Sequence, residues 1–281
     1  MLRIFIFDYT ISTNISRLRR SQIKIPLKKI THFILNKISR PWLISLSIFF
    51  RPLIVLFYKG TKFTDPIDGK SYRKFLPYGY GKQRENALSP GTLSLERHRQ
   101  MWLYLQNESD FFIENYKVLH IAPEQEFLRK FKKMKNLDYI SADLYSPIVD
   151  VKADILDLPF ENESFDVVFC NHVLEHIEED QKAMSELFRV MKKGSWGIFQ
   201  VPMKNSLEKT YEDFTIKDSK ERQKHFGQYD HVRWYGMDYF ERLKNAGFEV
   251  DINFYSQKFS LEDRKKFALM DNEILPIVYK R

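Results

Sequence analysis

The run Leu158-Pro-Phe-Glu-Asn-Glu-Ser-Phe-Asp-Val-Val-Phe-Cys-Asn-His-Val-Leu-Glu-His-Ile177 decides how this chain folds. Its middle, Phe165 to Asn171, is a short apolar stretch broken only by Asp166, too short for a helix and rich in strand-forming side chains. Such a stretch reads as a strand buried on both faces. Working outward, the same texture predicts strands over 117–121, 137–142, 149–153, 196–201 and 248–255. Amphipathic helices fall between them over 124–135, 180–192 and 235–246. Gly194 is expected to stop the second helix, Gly247 to follow the third at C′, and Pro202 to stop the strand before it. Strands alternating with helices at this spacing predict an α/β, doubly wound, mostly parallel sheet with helices on both faces.

Ligands in such sheets bind beyond the carboxyl ends of the strands, near the point where strand order reverses. That rule singles out His120, Ala122 and Glu124 after the first strand and Asp143 after the second. It adds Asp154 with Ile155 after the third and Asn171 with His172 after the fourth. An acid ending a second strand can accept hydrogen bonds from a ribose diol, and Asp154 can accept from an exocyclic amine.

Ala153-Asp-Ile, Leu158-Pro-Phe160, Phe165-Asp-Val-Val168, Val173-Leu-Glu-His-Ile177 and the later Arg242-Leu-Lys-Asn-Ala-Gly-Phe248 occur in order along residues 115–256. In these motifs the chain resembles the class I S-adenosylmethionine-dependent methyltransferases. The resemblance implies a Rossmann-like, seven-stranded sheet and S-adenosyl-L-methionine as cofactor. It implies Asp143 at the adenosine ribose, Asp154 and Ile155 framing the adenine, and Asn171–His172 facing the methyl donor. The family's first motif, an acid followed by alternating glycines, here reads Val118-Leu-His-Ile-Ala-Pro-Glu-Gln-Glu126. His120 stands for the acid, and Ala122, Glu124 and Glu126 stand for the glycines. Glu124 is expected to pair with the ammonium of the cofactor's methionine half.

Relatives also carry a zinc knuckle, Cys-Pro-x-Cys twice, ahead of Ser-Leu-Glu-Arg-His-Arg. Here Asp65-Pro-Ile-Asp68 and Ser89-Pro-Gly-Thr92 precede Ser94-Leu-Glu-Arg-His-Arg99. Structural zinc wants Cys or His at such corners, so no zinc is expected, and no other metal ligand set is singled out. A helix capped by Ser94, with Leu95, His98, Trp102 and Leu105 on one face, is predicted next. Its Arg97, His98 and Arg99 read either as an anion contact near the cofactor or as a solvated basic face with His98 half-buried.

Ten glycines in 281 residues is about half the usual ~7%, which argues against a glycine-rich phosphate loop. One cysteine, Cys170, excludes an internal disulfide, fits a reducing, cytoplasmic setting and, inside a buried strand, is no nucleophile. The net charge of +8 divides unevenly. Residues 1–62 hold twelve basic residues against one acid, or +11, whereas 63–281 hold 33 against 36, or −3. A basic nucleic-acid groove through the fold is therefore disfavoured. The arm enters an apolar stretch, Pro41 to Tyr58, interrupted by Arg51-Pro52. It reads either as an interfacial segment, with residues 17–58 on the anionic inner face of a membrane, or as a helix docked on the protein's own body. The chain thus divides into a basic, apolar helical arm (1–62), a degenerate knuckle with its linking helix (63–109) and the Rossmann-like domain (110–281).

Methyl transfer to oxygen needs a proton removed, and histidine is the usual base near neutral pH. His172 follows the fourth strand, and His231 sits in the aromatic loop Phe226-Gly-Gln-Tyr-Asp-His-Val-Arg-Trp-Tyr-Gly236, so both are candidate bases. His176 reads as a helix-start histidine bonded to backbone. The expected acceptor is a small molecule, a saccharide or a lipid-linked glycan. Two other readings fit the same sheet: a catalytically silent, membrane-tethered scaffold, and a nicotinamide-dependent oxidoreductase that lacks its glycine fingerprint.

Overall fold

The computed structural model describes residues 51–79 and 83–281. The arm up to residue 50, and with it most of the stretch from Pro41 to Tyr58, lies outside them. Helical residues 51–58 lead into β1 (Lys59–Asp65), which pairs antiparallel with β2 (Lys70–Tyr72), and β3 (Leu76–Tyr78) pairs likewise with β4 (Arg84–Leu88). The knuckle stretch thus forms two small hairpins over an apolar cluster that includes Tyr58, Phe63, Tyr72, Phe75, Leu88 and Leu95. Then follow α1 (Glu96–Asn107), β5 (Tyr116–Ile121), α2 (Gln125–Phe131), β6 (Leu137–Asp143), β7 (Val151–Lys152) and β8 (Phe165–Cys170). After a 3-10 turn come α3 (Asp180–Val190), β9 (Met191–Ile198), β10 (Tyr211–Glu212), α4 (Ser219–Phe226) and β11 (Arg233–Trp234). The chain closes with α5 (Tyr239–Asn245), β12 (Glu249–Asn253), α6 (Leu261–Lys266) and β13 (Leu275–Lys280).

Seven strands form one sheet in the order β12-β13-β9-β8-β5-β6-β7. From β9 to β7 all pairs are parallel, and β13 runs antiparallel to both β9 and β12. This is the Rossmann-like, mostly parallel sheet expected from the sequence. Successive residues of the central strands go to opposite cores. Leu119, Val168 and Cys170 pack on one face with Leu174, Leu187 and Tyr239. Val118, Val167 and Phe169 pack on the other with Trp102, Phe127 and Phe131. Burial on both faces is why the deciding stretch reads as continuously apolar.

Four local expectations are corrected. Gly194 does not stop α3; that helix ends at Val190 and the strand starts at once, with Met191 extended at the helix C-cap. Gly194, at φ +79, instead lies in the bulge where pairing jumps from Phe165↔Met191 to Val167↔Trp196. The strand then ends at Ile198, short of Pro202, because the Gln200 carbonyl turns to accept from the His172 amide at 2.7 Å. The third helix starts at Tyr239 rather than Tyr235, since Met203 bridges to Tyr235. Finally, Leu95 rather than Ser94 is the N-cap of α1, its amide donating to His98 Nδ1 at 3.2 Å.

Ser94 is used by the knuckle. Its hydroxyl donates to Asp65 Oδ2 at 3.1 Å, the Thr92 hydroxyl donates to the same oxygen, and the Tyr72 hydroxyl donates to Asp68 Oδ2 at 3.0 Å. Through Asp65, hydrogen bonds thereby tie the first turn to Thr92 and Ser94 of the second. Gly91 is required there, because a Cβ would lie 2.0 Å from the Tyr72 hydroxyl.

Arg99, read from the sequence as part of a basic helix face, is wholly buried. Its guanidinium lies 4.8 Å from the Phe75 ring centre. It donates to the carbonyls of Ala87 (3.0 Å), Ser94 (2.8 Å), Phe267 (2.7 Å) and Ala268 (2.7 Å). One side chain therefore joins the knuckle, α1 and the segment after α6. Burial pulls its pKa down to about 10, which leaves it charged at neutral pH. In Arg99→Met, four carbonyls lose a charged donor, each costing about 1–3 kcal/mol when left buried and unpaired. Urea unfolding is expected to show a loss of at least about 3 kcal/mol, with Arg99→Lys recovering only part of it.

Candidate functional site

The site is built at the carboxyl ends of β5, β6 and β8. The chain leaves β5 and β8 through residues in the left-handed region, Ala122 at φ +46 and His172 at φ +54. Side-chain-bearing residues avoid that region, and such strain gathers at functional turns. Each turn is pinned by an amide: Ala122 N–H donates to the Ala142 carbonyl (2.8 Å), and His172 N–H to that of Gln200 (2.7 Å).

His120 is fully buried. Its Nε2 lies 2.8 Å from Glu124 Oε2, and its Nδ1 lies 2.9 Å from the Tyr139 hydroxyl. A carboxylate only accepts, so Nε2 donates to Glu124. Burial alone would raise the Glu124 carboxyl. The His120 hydrogen bond and the charges of His120 and His98 outweigh it and hold the group at about 2. A permanently ionised carboxylate therefore stands at the first turn.

Asp143 closes β6, and its Oδ1 accepts from the amides of Tyr145 (2.7 Å) and Ser146 (2.6 Å). None of the hydrogen bonds among the described residues uses its other oxygen. Asp154 is exposed and accepts from the Leu156 amide at 2.9 Å, while Ile155 beside it is buried in the core. Asn171 is committed to protein groups. Its Oδ1 accepts from the Gln200 amide at 3.2 Å, and its Nδ2 lies 3.3 Å from Met101 Sδ, bracing the β8 end against α1.

His172 Nδ1 lies 3.3 Å from Glu175 Oε1, and its Nε2 is buried without a partner among the described residues. Burial, then the nearby Arg97 charge, lowers the imidazole to about 4, against an opposing pull from Glu175. Behind it, the His231 and His176 rings meet edge to face at 4.8 Å. His231 is also lowered, by burial, with Glu175 pulling the other way.

Sequence reasoning missed the partners that unite these groups. Glu175 is 1% exposed, and its Oε2 has no partner among the described residues. The same holds for buried nitrogens or oxygens of Arg97, His98, Gln100 and Gln200. His98 Nδ1, which accepts from the Leu95 amide, also lies 2.5 Å from Glu126 Oε1, so α1 and α2 meet here. Arg97 and His98 are thus neither solvated nor a simple basic face; the start of α1 covers the strand ends. Buried polar atoms without partners are rare in native folds and call for an explanation such as a ligand.

Comparison with known proteins agrees with this layout. The methyltransferase-domain family matches residues 102–199, about a third of the chain, running from α1 into the strand after α3. Over that region the chain is similar to methyltransferase domains. A curated relative, an uncharacterized protein of Methanocaldococcus jannaschii, is 42% identical over 66 residues, covering 23% of this chain and 29% of its own length. The match therefore spans under a third of that relative. Among solved structures, a SAM-dependent methyltransferase from Archaeoglobus fulgidus is 17% identical with TM-score 0.45, covering 67% of this chain and 95% of its own. The [4+2]-cyclase SpnF is 13% identical with TM-score 0.45, covering 83% and 93%.

His172 supplies a direct test. A histidine lowered from 6.5 to about 4 is neutral in the fold over a range where the unfolded chain binds a proton. The stability it contributes is therefore present above pH 6.5 and lost as pH falls towards 4. NMR of histidine-labelled protein is expected to show His172 neutral down to about pH 5; titration near 6.5 contradicts the buried, Arg97-facing placement.

Proposed function

We propose that the protein transfers a methyl group from S-adenosyl-L-methionine to an oxygen of a small molecule, a saccharide or a lipid-linked glycan. The observation that carries this reading is the set of partnerless buried polar atoms around the two strained strand ends. Buried polar atoms left without protein partners suit a polar ligand.

In this reading Asp143 holds the ribose hydroxyls through its uncommitted oxygen, and Asp154 with Ile155 frames the adenine. The Ala122 turn offers backbone groups to the methionine carboxylate, and Glu124 takes the ammonium. His120 acts through Glu124, fixing its orientation and charge. Asn171 holds the end of β8 in place for His172. His172 is the base: Glu175 keeps its Nδ1 protonated and leaves Nε2 free to accept the acceptor's proton. His231, beyond Glu175, stands second in line. When bound, the cofactor supplies an electrophilic methyl on a sulfonium, and transfer is an in-line displacement in which positioning and exclusion of water do most of the work. The body's −3 charge favours such an acceptor over nucleic acid.

Thermal-shift titration with S-adenosylmethionine, S-adenosylhomocysteine and NAD tests the reading. Stabilisation by the first two alone is the expected result; silence towards all three favours a scaffold, and a response to NAD an oxidoreductase. Asp143→Ala is expected to weaken S-adenosylmethionine about tenfold or more, the size of a charged hydrogen bond, with little change in the unliganded melting temperature.

The peripheral membrane reading has its own support. No helix among the described residues is long and apolar enough to cross a membrane. Yet helical residues 51–58 expose Leu53 (61%), Leu56 (68%) and Phe57 (55%). A cleft of about 670 Å³ beside them is lined by Arg51, Lys59 and Lys70. Apolar side chains next to cations suit the boundary of an anionic bilayer, such as the cytoplasmic face of a cell membrane. Full-length protein is expected to cofloat with phosphatidylserine vesicles and not with phosphatidylcholine alone, with Leu56→Asp/Phe57→Asp abolishing it. Flotation with neither vesicle points to docking on the protein's own body.

A further inference from the structure

Glu175, His176 and His231 each bring one metal-capable atom into a space where the three lie within 4.8 Å of one another. The surrounding hydrogen bonds aim lone pairs inward. His176 Nδ1 lies 3.2 Å from the Asp230 carbonyl. A carbonyl only accepts, so Nδ1 carries the proton and Nε2 keeps the lone pair. His231 is hydrogen-bonded to the Phe226 backbone, while its Nδ1 is buried and has no partner among the described residues. Glu175 gives Oε1 to His172 and leaves Oε2 buried and without a partner there. Glu175 and His231 are 1% and 6% exposed, so bulk water cannot satisfy them. Three acceptors converge, and no donor among the described side chains answers them.

We propose that Glu175, His176 and His231 bind one divalent transition-metal ion next to the methyl-acceptor position. Two imidazoles and one carboxylate suit Zn²⁺, Co²⁺, Mn²⁺ or Fe²⁺ rather than Mg²⁺ or Ca²⁺, which prefer all-oxygen shells. Ligand bonds of about 2.0–2.2 Å need the three atoms to close by roughly 1 Å. His176, whose side chain is 28% exposed, has room to turn. The second shell already exists: a backbone carbonyl holds the outer nitrogen of each histidine, which fixes the ring tautomer, as metal-bound histidines require. Asp230 Oδ2, 3.6 Å from His176 Nδ1, adds a carboxylate to that shell.

Three protein ligands leave a position for a substrate atom. On the methyl-transfer reading, which this role rests on, a hydroxyl of the acceptor fills it. The ion lowers the hydroxyl's pKa, His172 Nε2 takes its proton, and the oxygen attacks the methyl carbon. The carbon–sulfur bond breaks with its electron pair returning to sulfur, and S-adenosylhomocysteine leaves. Glu175 then serves both halves of the site, one oxygen orienting the base and the other holding the ion.

The test uses the full chain, stripped with chelator and titrated with Co²⁺, whose visible bands report the ligand set, followed by displacement with Zn²⁺. One equivalent of Co²⁺ is expected, displaced by Zn²⁺. His176→Ala and His231→Ala should each weaken it about 100-fold or more, since outer-shell changes alone cost 10–100-fold. His225→Ala, outside the cluster, should leave it unchanged. Circular dichroism melts identify any variant that fails to fold; His176→Ala, at a partly exposed position, is chosen to survive. Absence of stoichiometric Co²⁺ binding by the wild type, or full binding by folded His176→Ala, overturns the proposal and leaves a shared proton as the occupant. S-adenosylmethionine stabilisation, measured on the same metal-free sample, reports separately on the methyl-transfer reading.

Discussion

A carboxylate sealed from water is held in a protein only by what surrounds it, and the arrangement around Glu175 follows from that. Burial raises the cost of its charge, while the His172 hydrogen bond and the His172, His176 and His231 charges pull its pKa down. His172 is pushed to about 4, and burial lowers His231 too. The carboxylate thus depends on imidazoles, two of which burial itself discourages from charging, a state that a bare fold keeps only at a cost. The backbone supports it: the Glu175 carbonyl accepts the Val232 amide at 3.0 Å, locking the end of β8 to the loop that carries His231. The Arg233 guanidinium, fully buried, clamps the same two segments. It donates to the carbonyls of Leu174 (3.0 Å), Ile177 (2.5 Å) and Glu178 (2.9 Å) and to Glu212 Oε2 (2.8 Å).

Two buried arginines thus divide the structural work. Arg99 fixes the knuckle and α1 to the body, and Arg233 fixes the 228–234 loop to the β8 end. Both fill their donors with backbone carbonyls at chain reversals, where helix and turn ends leave acceptors over. With both in place, the start of α1 is held above the strand ends. Arg97, His98 and Gln100 each keep a buried polar atom without a partner among the described residues.

The sheet was legible because its central strands are buried on both faces and because turns punctuate them. Six strands follow from apolar runs, and Gly247 at φ +106 does end its helix as expected. The seventh, β13, is equally apolar from Leu275 to Tyr279 but carries a proline. Pro276 lies inside Leu275–Lys280, and proline demotes a strand reading. It is tolerated here because the Pro276 carbonyl still accepts from the Phe199 amide at 3.2 Å. Gly194 misled for the opposite reason: its positive φ serves a bulge instead of a helix end, and a bulge depends on the partner strand. At the site, Asp143, Ala122 and His172 follow from strand ends alone. The Glu175–His176–His231 cluster does not, because 55 residues separate its two histidines and no spacing rule links them. Arg99 was invisible for a related reason: a basic residue on a helix is normally solvated, and only the tertiary contacts with Phe267 and Ala268 bury it.

The glycine-poor first turn is better understood as a displaced acid than as a lost one. In the resembling family an acid ends the first strand and glycines let the backbone turn. Here the strand ends on His120, which cannot offer a negative charge but can hold one, and it holds Glu124 at 2.8 Å. The charge thereby moves four residues along the chain while staying at the same strand end. Ala122 adopts the left-handed turn that glycine would take, at φ +46, a conformation costing a non-glycine residue about 1 kcal/mol or more. Pro123 fixes the next φ, so the turn is strained yet rigid. A rigid turn with an anchored carboxylate can meet an ammonium and a carboxylate without the flexibility of a glycine loop. It does so only while His120 stays sandwiched near Phe131 and Phe169, with ring centres at 6.3 Å and 5.5 Å. The aromatic core beneath the sheet therefore helps to hold the turn above it.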